Sequence, residues 1–385
     1  MNDVPDALRR PRAPLVVMTR AAALSLLFAA LGAVQTDRPQ HSAAIATIDS
    51  LLAATYPASG PGAAVLVARG GRVLLRKGYG LANVERGVAV APETVFRIAS
   101  VTKVFAATAV LMLADEGRIA LDSPAATYLP DYPAAGRGIT VRHLLSHTAG
   151  LPEYLDRPDV FAFVGQERPV LDLVASFRDR PPVFAPGERD AYSNSNYILL
   201  GASLEHVAGV GFGELVRTRI FEPLGMRSTA CAAPLAGVAG LAEAYEPERT
   251  TAGQPDWNRL VVARPYTMSA LHAAGGCVSS LDDLFRFHEA LLGGRLLRAE
   301  TLAYSLAPVR LTGGREGGTS NAGWQLDRVA GRRAVMKGGS LPGVCTWLLT
   351  MPDDSLAIVL LTNRSAGQPR CGMLAVRLAG IAVGQ

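Results

Sequence analysis

Apolar runs divide the chain into strand regions near both ends and a helical middle. Residues 63–69 and 72–81 are β-rich runs separated by Gly70 and Gly71, a pair typical of a two-residue hairpin. Near the other end, four strand-type runs and a closing helix cover, in order, residues 323–328, 333–337, 346–351, 356–361 and 374–383. Two strand groups around a helical middle predict one sheet assembled from both ends of the chain.

Helical patterns fill the middle of the chain. Residues 100–115 are apolar on nearly every side, which predicts a buried central helix rather than a surface helix. Residues 141–145 and 197–207 predict further helices. We therefore expect a helical lobe inserted at about residues 110–270, with a cleft between this lobe and the sheet.

Residues 1–35 have the pattern of an export signal. The apolar stretch at residues 21–34 suits a signal peptide and is short for a membrane span, and four arginines precede it: Arg9, Arg10, Arg12 and Arg20. The segment that begins at Met18 is already a complete signal, so Met18 is an alternative start. We expect a periplasmic or secreted domain of residues 36–385 without a stable membrane span. An uncleaved N-terminal anchor is the alternative.

Composition narrows the class of protein. Of the 385 residues, 49% are apolar and 18% are charged, which predicts a large packed core and excludes a disordered chain. The net charge is +5 without a basic block beyond the N-terminus, so we expect no nucleic-acid partner. Arginine supplies most of the positive charge, and the lysines are Lys77, Lys103 and Lys337. Lysine can release its proton and act as a base, whereas arginine cannot.

The cysteines have no spacing typical of a metal site. They lie far apart in the sequence, without a C-x-x-C pair, at Cys231, Cys277, Cys345 and Cys371. We therefore expect no zinc site. An oxidising compartment would permit disulfides, and pairing of Cys345 with Cys371 stays open, but buried free thiols are the default interpretation.

Ser100 and Lys103 form a Ser-x-x-Lys motif at the start of the predicted central helix. Residues three apart on a helix share one face. A buried ammonium loses hydration, so its pKa falls and the neutral amine can take the serine proton. The start of the helix also leaves a backbone N–H near Ser100 that can face an oxyanion.

A second motif is Tyr192-Ser193-Asn194. A phenol close to an ammonium can pass a proton to a leaving group, and an amide can orient a substrate carbonyl. By itself a Tyr-x-Asn pattern carries little information, because such triplets are also common in structural loops. Its weight comes from the motifs on either side.

A third motif, Lys337-Gly338-Gly339-Ser340, follows a predicted strand. Its glycines allow a substrate backbone to approach the strand edge, and the N–H of Ser340 can supply a second oxyanion donor. Lys337 can hold an anionic group of the substrate or tune the serine–lysine pair, whereas a solvated lysine at a strand end is the plainer interpretation. Two of the three lysines therefore lie in motifs whose chemistry can use an amine.

The order Ser-x-x-Lys, Tyr-x-Asn and Lys-x-Gly resembles that of serine β-lactamases and penicillin-binding proteins. The surrounding sequence is most similar to the class C-like branch of β-lactamase-related serine hydrolases, in the segments FRIASVTK at 96–103, VRHLLSHTAGLP at 141–152, PG at 186–187 with YSNSNY at 192–197, and GGSLPG at 338–343. The resemblance covers roughly residues 45–385. It implies an α/β (α+β) fold of the β-lactamase/transpeptidase type, with a mixed, mainly antiparallel sheet flanked by helices plus an all-helical lobe. It also implies an acyl-enzyme mechanism without metal or organic cofactor.

The same resemblance implies roles for the motif residues. Ser100 is expected to be the nucleophile, Lys103 its general base and Tyr192 a second acid or base. Asn194 is expected to orient the substrate, and Lys337 to act electrostatically from the strand edge.

The third motif departs from the family pattern at one position. β-Lactamases usually carry Thr or Ser between the Lys and the Gly, whereas this chain has Gly338, so a hydroxyl that helps to bind a substrate carboxylate is missing. Gly339 and the N–H of Ser340 keep their expected places beside the substrate, with the N–H of Ser100 as the other oxyanion donor. His147 is interpreted, by resemblance, as part of a structural turn.

These expectations combine into an exported serine hydrolase that cleaves an ester or amide through an acyl-serine intermediate. Gly338 favours an esterase or a D-amino-acid-type peptidase over a dedicated β-lactamase, which stays an alternative. A non-catalytic receptor that binds penicillin-like ligands in the same cleft is the alternative from another class. The expected partner is a small-molecule ester, amide or peptide substrate.

Overall fold

The computed structural model describes residues 37–129, 132–133, 138–365 and 370–384. The signal predicted over residues 1–35 lies outside these described residues. In chain order the strands are β1 (Ala63–Arg69), β2 (Arg72–Tyr79), β3 (Leu81–Asn83), β4 (Val88–Ala89), β5 (Phe96–Arg97), β6 (Ala230–Cys231), β7 (Tyr245–Arg249), β8 (Pro255–Val262), β9 (Cys277–Ser279), β10 (Pro308–Arg310), β11 (Glu316–Ser320), β12 (Gln325–Val329), β13 (Arg332–Leu341), β14 (Val344–Met351) and β15 (Leu356–Thr362).

The α-helices are α1 (Asp37–Thr55), α2 (Thr102–Asp115), α3 (Val141–Leu145), α4 (Val160–Val164), α5 (Val170–Ala175), α6 (Asn194–Ala208), α7 (Phe212–Val216), α8 (Glu222–Leu224), α9 (Met268–Gly275), α10 (Leu281–Leu292), α11 (Ala299–Leu306) and α12 (Cys371–Ala382). A π-helical turn at Arg217–Phe221 joins α7 to α8. A 3₁₀ turn at Ala99–Val101 leads directly into α2.

Eight strands form one antiparallel sheet in the order β10-β11-β12-β13-β14-β15-β1-β2. Because β1 lies beside β15, with Ala63 opposite Thr362, the sheet joins the two ends of the chain, as the sequence predicts. Gly70 and Gly71 both have positive φ, +56° and +72°, and form the predicted hairpin turn between β1 and β2. Smaller sheets pair β3 with β4, β5 and β6 with β9, and β7 with β8.

Strand β1 reads as a continuous apolar run because helices cover the sheet on both faces. Ala64 and Leu66 point into a core shared with α2 and α10. Val65 and Val67 point into a second core, which α1 and α12 close. The sequence prediction of a sheet flanked by helices is confirmed.

The central helix α2 is apolar all round because protein surrounds it, as predicted. Eleven of its fourteen residues are buried. Phe105 packs edge-on against Phe221 and Phe287, with ring centroids 5.0 and 4.7 Å apart. This packing holds the first turn of α2, which carries Lys103, against the rest of the molecule.

Helix α6 is the second organising helix, and it contacts α2, α3, α5 and α9. Its first residue therefore lies near the first turn of α2, although the two are far apart in the sequence. In the described ranges we find no single helix that is long and apolar enough to cross a membrane. The pair Asn194–Ala208 and Phe212–Leu224, bent by 74°, meets that requirement by length and composition only.

The cysteines form two disulfides, so the interpretation of buried free thiols is wrong. Cys231 and Cys277 are direct partners of β6 and β9, with their Cα atoms 4.1 Å apart. Cys345 of β14 is bonded to Cys371, the first residue of α12, across a Cα separation of 6.3 Å. Pairing of distant strands and helices brings the thiols together, and sequence spacing alone does not reveal it.

Candidate active site

Ser100 lies on the 3₁₀ turn between β5 and α2. The preceding residue, Ala99, has a φ of +48°, in the left-handed region that a residue with a Cβ rarely adopts. Ala99 is also buried, so the surrounding structure holds this conformation in place. The sharp turn places the Ser100 side chain on the wall of the cleft, at the entrance to the helix.

The hydroxyl of Ser100 contacts both of its predicted partners. Its Oγ lies 2.7 Å from the hydroxyl oxygen of Tyr192. The Lys103 Nζ lies 3.3 Å from the same Oγ, from one helical turn further along α2. The Ser100 hydroxyl therefore lies within hydrogen-bond reach of an amine and of a phenol.

Lys103 is only 1% exposed, and its amine is held in one orientation. Nζ donates to the carbonyl oxygen of Ala274 at 2.6 Å and to Oδ1 of Asn194 at 2.8 Å. Both oxygens can only accept. In a neutral amine these two bonds use both N–H groups, so the lone pair of Nζ is free to point towards Ser100 Oγ.

The electrostatic surroundings of Lys103 favour the neutral amine. Burial, and after it the charge of Lys337, hold the pKa of Lys103 well below its usual range. The charge of Glu153 opposes this shift. A lysine of this kind can act as a base near neutral pH, where an exposed lysine is protonated.

The ring of Tyr192 lies 4.8 Å from Lys103 Nζ, and 53% of the surface of Tyr192 is exposed. Its hydroxyl contacts Ser100 and also donates to Oδ1 of Asn194 at 3.2 Å. Desolvation inside the cleft raises the pKa of this phenol, the bond to Ser100 lowers it, and the charge of Glu153 raises it. The net shift is upward, so the hydroxyl keeps its proton at neutral pH and can donate it.

Strand β13 presents its last residues to the cleft. In the described pairing, β12 follows β13 only as far as Met336, whereas β14 follows it to Leu341. Gly339 lies against the turn that carries Ser100, because a Cβ atom there would lie 2.3 Å from the oxygen of Ile98 and 3.0 Å from the nitrogen of Ser100. A glycine at this position is what allows strand and turn to meet.

Lys337 is buried, with 5% of its surface exposed, so it is not a solvated lysine at a strand end. Its Nζ donates to the carbonyl oxygen of Gly323 at 2.6 Å. The ring of Tyr192 lies 5.6 Å from this Nζ. Burial lowers the pKa of Lys337 to about 7.

The free energy of unfolding is expected to rise with pH between about 7 and 10.5 because of Lys337. Its pKa falls from 10.5 to about 7 on folding, so in this window the unfolded chain holds a proton that the folded chain has released. Below this window both states hold the proton, and the contribution is constant. Urea unfolding at several pH values between about 6.5 and 9 should show a flatter rise for Lys337→Met than for the wild type. Equal slopes would contradict the expectation.

The position of the missing hydroxyl is filled by the indole of Trp347. A Cβ atom on Gly338 would lie 2.8 Å from this ring, and one on Gly372 of α12 would lie 2.4 Å from it. The indole thus lies between two glycines, one on β13 and one on the helix that the Cys345–Cys371 disulfide anchors. Gly338 is a glycine because Trp347 occupies its side-chain space.

The predicted site residues gather at one place. One cavity of about 1120 Å³ is lined by six of them: Ser100, Tyr192, Asn194, Lys337, Gly339 and Ser340. Lys103 lies beneath this lining and reaches Ser100 and Asn194 by hydrogen bonds. Ser340 is exposed on the strand edge.

Sequence reasoning missed several neighbours of these residues. The buried ring of His147 lies against Tyr192, 4.6 Å between centroids, so this residue supports the site as well as forming a turn. Glu153 accepts hydrogen bonds from Asn194. The carbonyl oxygens of Ala274 and Gly323 accept from Lys103 and Lys337, respectively. No sequence pattern marks such a carbonyl group. Of these groups, only His147 lies within a segment that the sequence analysis singled out, residues 141–152.

Comparison with known proteins gives the family. The sequence model of the family described as Beta-lactamase matches residues 50–380. The chain belongs to the beta-lactamase family. The predicted β-lactamase/transpeptidase-type fold is thereby confirmed, and its solved neighbours share it.

Relatives of this beta-lactamase-family chain include penicillin-binding protein 4* of Bacillus subtilis, 27% identical over 78% of this chain and 67% of that protein. A D-aminopeptidase of Gluconobacter oxydans is 29% identical over 88% of this chain and 62% of its own length. The chain thus spans about two thirds of the length of these curated relatives. The octameric penicillin-binding protein homologue of Pyrococcus abyssi has the same fold, with a TM-score of 0.74, 26% identity, and coverage of 89% of this chain and 78% of that one. These findings show the family of the chain and place a hydrolase, the D-aminopeptidase, among its relatives.

Proposed function

We propose that this chain is an exported serine hydrolase that cleaves an ester or an amide through a covalent acyl-serine intermediate. The observation that carries the proposal is the contact of one hydroxyl, that of Ser100, with both a buried amine and a protonated phenol. A nucleophile, a base and an acid within hydrogen-bond reach are the parts that acyl transfer needs.

In acylation, Ser100 Oγ attacks the carbonyl carbon while Lys103 Nζ takes the serine proton. The C–O or C–N bond to the leaving group breaks, and Tyr192 gives that group its proton. The proton on Lys103 then restores the Tyr192 hydroxyl. The backbone N–H groups of Ser100 and Ser340 would face the oxyanion of the tetrahedral intermediate.

In deacylation, water attacks the acyl-serine ester. Lys103 takes one proton of this water, and the bond from the acyl carbon to Ser100 Oγ breaks as Tyr192 gives Oγ its proton. The proton on Lys103 then restores the Tyr192 hydroxyl, so the protein ends in its starting state. Neither half of the cycle changes an oxidation state, and the side chains named here supply every proton transfer.

The favoured substrate is an ester or a D-amino-acid-type peptide or amide rather than a β-lactam. The indole of Trp347 occupies the space in which a hydroxyl at position 338 would help to bind a carboxylate. The D-aminopeptidase among the relatives supports the peptide arm of this proposal. A dedicated β-lactamase is the second candidate within the same mechanism.

A fluorophosphonate probe tests the nucleophile. We expect covalent labelling of the wild-type protein at Ser100 and none of Ser100→Ala, because the probe reacts with activated serine hydroxyls. A panel of nitrocefin, a D-Ala-D-Ala peptide, a D-amino amide and a short p-nitrophenyl ester then separates the substrate classes. Absence of labelling in folded wild-type protein would favour a non-catalytic receptor. Rapid turnover of nitrocefin alone would favour a β-lactamase.

Installing the hydroxyl by Gly338→Thr is expected to lower the Tm by roughly 2–6 °C, because forcing extra atoms against Trp347 costs about 1–3 kcal/mol. Thermal unfolding followed by circular dichroism measures the change. The same substitution in a Trp347→Ala background should cost clearly less, because the indole no longer fills the space. Equal costs in both backgrounds would contradict the steric explanation.

Lys337→Met is expected to reduce kcat/KM for neutral and anionic substrates by similar factors, roughly tenfold or more. The sequence favoured a carboxylate clamp for Lys337, with the tuning of proton transfer as the rival role. The burial of the amine and its bond to Gly323 favour tuning, which serves every substrate. Parallel assays with a neutral p-nitrophenyl ester and an anionic peptide measure both factors. If kcat/KM fell only for the anionic substrate, the result would favour the role of Lys337 as a carboxylate clamp.

Export is the remaining part of the proposal, supported by the arginines and the apolar stretch within residues 1–35. Expression of the full chain in a Gram-negative host, followed by fractionation and N-terminal sequencing, tests it. A mature periplasmic protein that begins near position 36 is the expected result. A protein that keeps its first residues and stays with the membrane would point to an uncleaved anchor.

A further inference from the structure

Glu153 lies at the start of α6, where it makes contacts that a helix normally obtains from its own capping residue. Its Oε2 accepts from the backbone N–H of Asn194 at 2.7 Å. Ser193, at the N-cap position, makes no side-chain capping bond, and its buried Oγ has no partner. A carboxylate from 41 residues earlier thus caps this helix, and a negative charge suits a helix N-terminus.

The same carboxylate oxygen also accepts from the side-chain amide of Asn194, with Nδ2 at 3.2 Å. The other end of this amide, Oδ1, accepts from Lys103 and from Tyr192. A carboxylate cannot donate a hydrogen bond, and the short bond from the amine needs an acceptor. The amide therefore has one favourable orientation, with its NH₂ group on Glu153 and its oxygen between the base and the acid.

We propose that Glu153 is a positioning residue of the reaction: it fixes the start of α6 and the Asn194 amide, so that the amide oxygen holds Lys103 and Tyr192 in place around Ser100. Glu153 is itself held, because its Oε1 accepts from the N–H of Leu155 at 3.1 Å. The inference rests on the proposed function, since it assigns Glu153 a part in the same acyl transfer.

The charge of Glu153 adds an electrostatic effect that can be measured. The titratable groups facing Lys103 come from β13, from the start of α6 and from the loop after α3; they are Lys337, Tyr192, Tyr197, His147 and Glu153. Glu153 raises the pKa of Lys103, whereas burial and Lys337 lower it. Removing the negative charge should therefore lower the pKa of the base further.

Glu153→Gln is the test, because glutamine keeps the length of the side chain and removes its charge. With a neutral p-nitrophenyl ester, which offers Glu153 no charge to bind, we expect kcat to fall at least about tenfold while KM changes little. The acid limb of the kcat/KM profile should move to lower pH, because the base loses its proton more easily. Glu188→Gln is the matched control, since it removes an exposed carboxylate that accepts only a loop N–H from Ala185 among its described contacts.

A double-mutant cycle distinguishes positioning from a merely structural cap. In an Asn194→Ala background, Glu153→Gln should have little further effect on kcat, because the amide it orients is gone. The proposal would be overturned if the effects of the two substitutions on kcat were fully additive. It would also be overturned if Glu153→Gln left both the acid limb and the plateau of the pH profile unchanged.

Should Glu153→Gln unfold, Glu153→Asp is the second variant, because it keeps the charge and shortens the side chain. It should preserve the acid limb while kcat falls. Fluorophosphonate labelling separates failure of the proposed function from failure of the role of Glu153. No labelling of the wild type refutes the proposed function. Equal labelling rates of the wild type and Glu153→Gln refute only the role of Glu153.

Discussion

Lys103→Arg is expected to lower kcat at least about a hundredfold, the usual range for loss of a general base. Arginine keeps a positive charge near Ser100 but has a pKa above about 12, so it cannot take the serine proton. Assays with a p-nitrophenyl ester under single-turnover conditions measure the loss in the acylation step itself. Near-full turnover by this variant would make Lys103 an electrostatic partner only.

Lys103→Met is the companion variant, because a guanidinium is larger than an ammonium and Lys103 is only 1% exposed. Methionine has a similar length and no amine, so it should also lose at least about a hundredfold in kcat with little change in Tm. A change at the third lysine, Lys77→Met, serves as the matched control. That residue pairs with Asp49 on the surface and should leave kcat unchanged.

Tyr192→Phe is expected to reduce kcat by roughly a hundredfold or more, with KM changed far less. The phenol is the acid that meets both Ser100 and Asn194, and the substitution removes only its oxygen. Because its pKa is raised, a phenol that acts as a proton donor should give no basic limb in the pH profile below about pH 10.

Tyr128→Phe is a suitable control for this loss. It also removes one hydroxyl, which accepts from the N–H of Ala120 away from the cleft. Turnover by Tyr128→Phe should match the wild type. If Tyr192→Phe retained most of its activity, Lys103 alone would have to supply both proton transfers.

The pattern of apolar and polar residues predicted the strands and the central helix, because burial of a segment decides which of its residues are apolar. The first and last residues of β1, β14 and β15 lie within two residues of the ends of the predicted runs. Each strand stays apolar for the length over which helices cover both faces of the sheet. Strand β13 extends four residues beyond the predicted end at Lys337. Its glycines have no strand propensity, and pairing with β14 holds them extended.

Helix α6 begins at Asn194, three residues before the predicted start. The local sequence provides no capping bond there, because the cap is Glu153 on another loop. The contact of Trp347 with Gly338 and the two disulfides also escape prediction from the local sequence. Each is a meeting of segments that only the folded sheet brings together.

Within the site, the sequence predicted the groups that carry chemistry but not the groups that hold them. Ser100, Lys103, Tyr192 and Asn194 stand in short motifs with recognisable chemistry. Their supports are largely backbone carbonyls, such as that of Ala274, or side chains whose role depends on approach, such as His147. A carbonyl is present at every residue, so no pattern in the sequence distinguishes the one that a buried lysine will contact.

The sheet that joins both ends of the chain also sets the order in which the protein can fold. Gly62 donates to the side chain of Asn363, 301 residues later, and β1 finds its neighbour β15 only at that point of synthesis. Contacts of such long range make folding slow, because a large loop must close before they form. A ribosome would therefore have made nearly the whole polypeptide before the central strands could pair. For the export proposed above, a nascent chain that stays unfolded this long could still pass through a narrow translocation channel, and the two disulfides would form afterwards in an oxidising compartment.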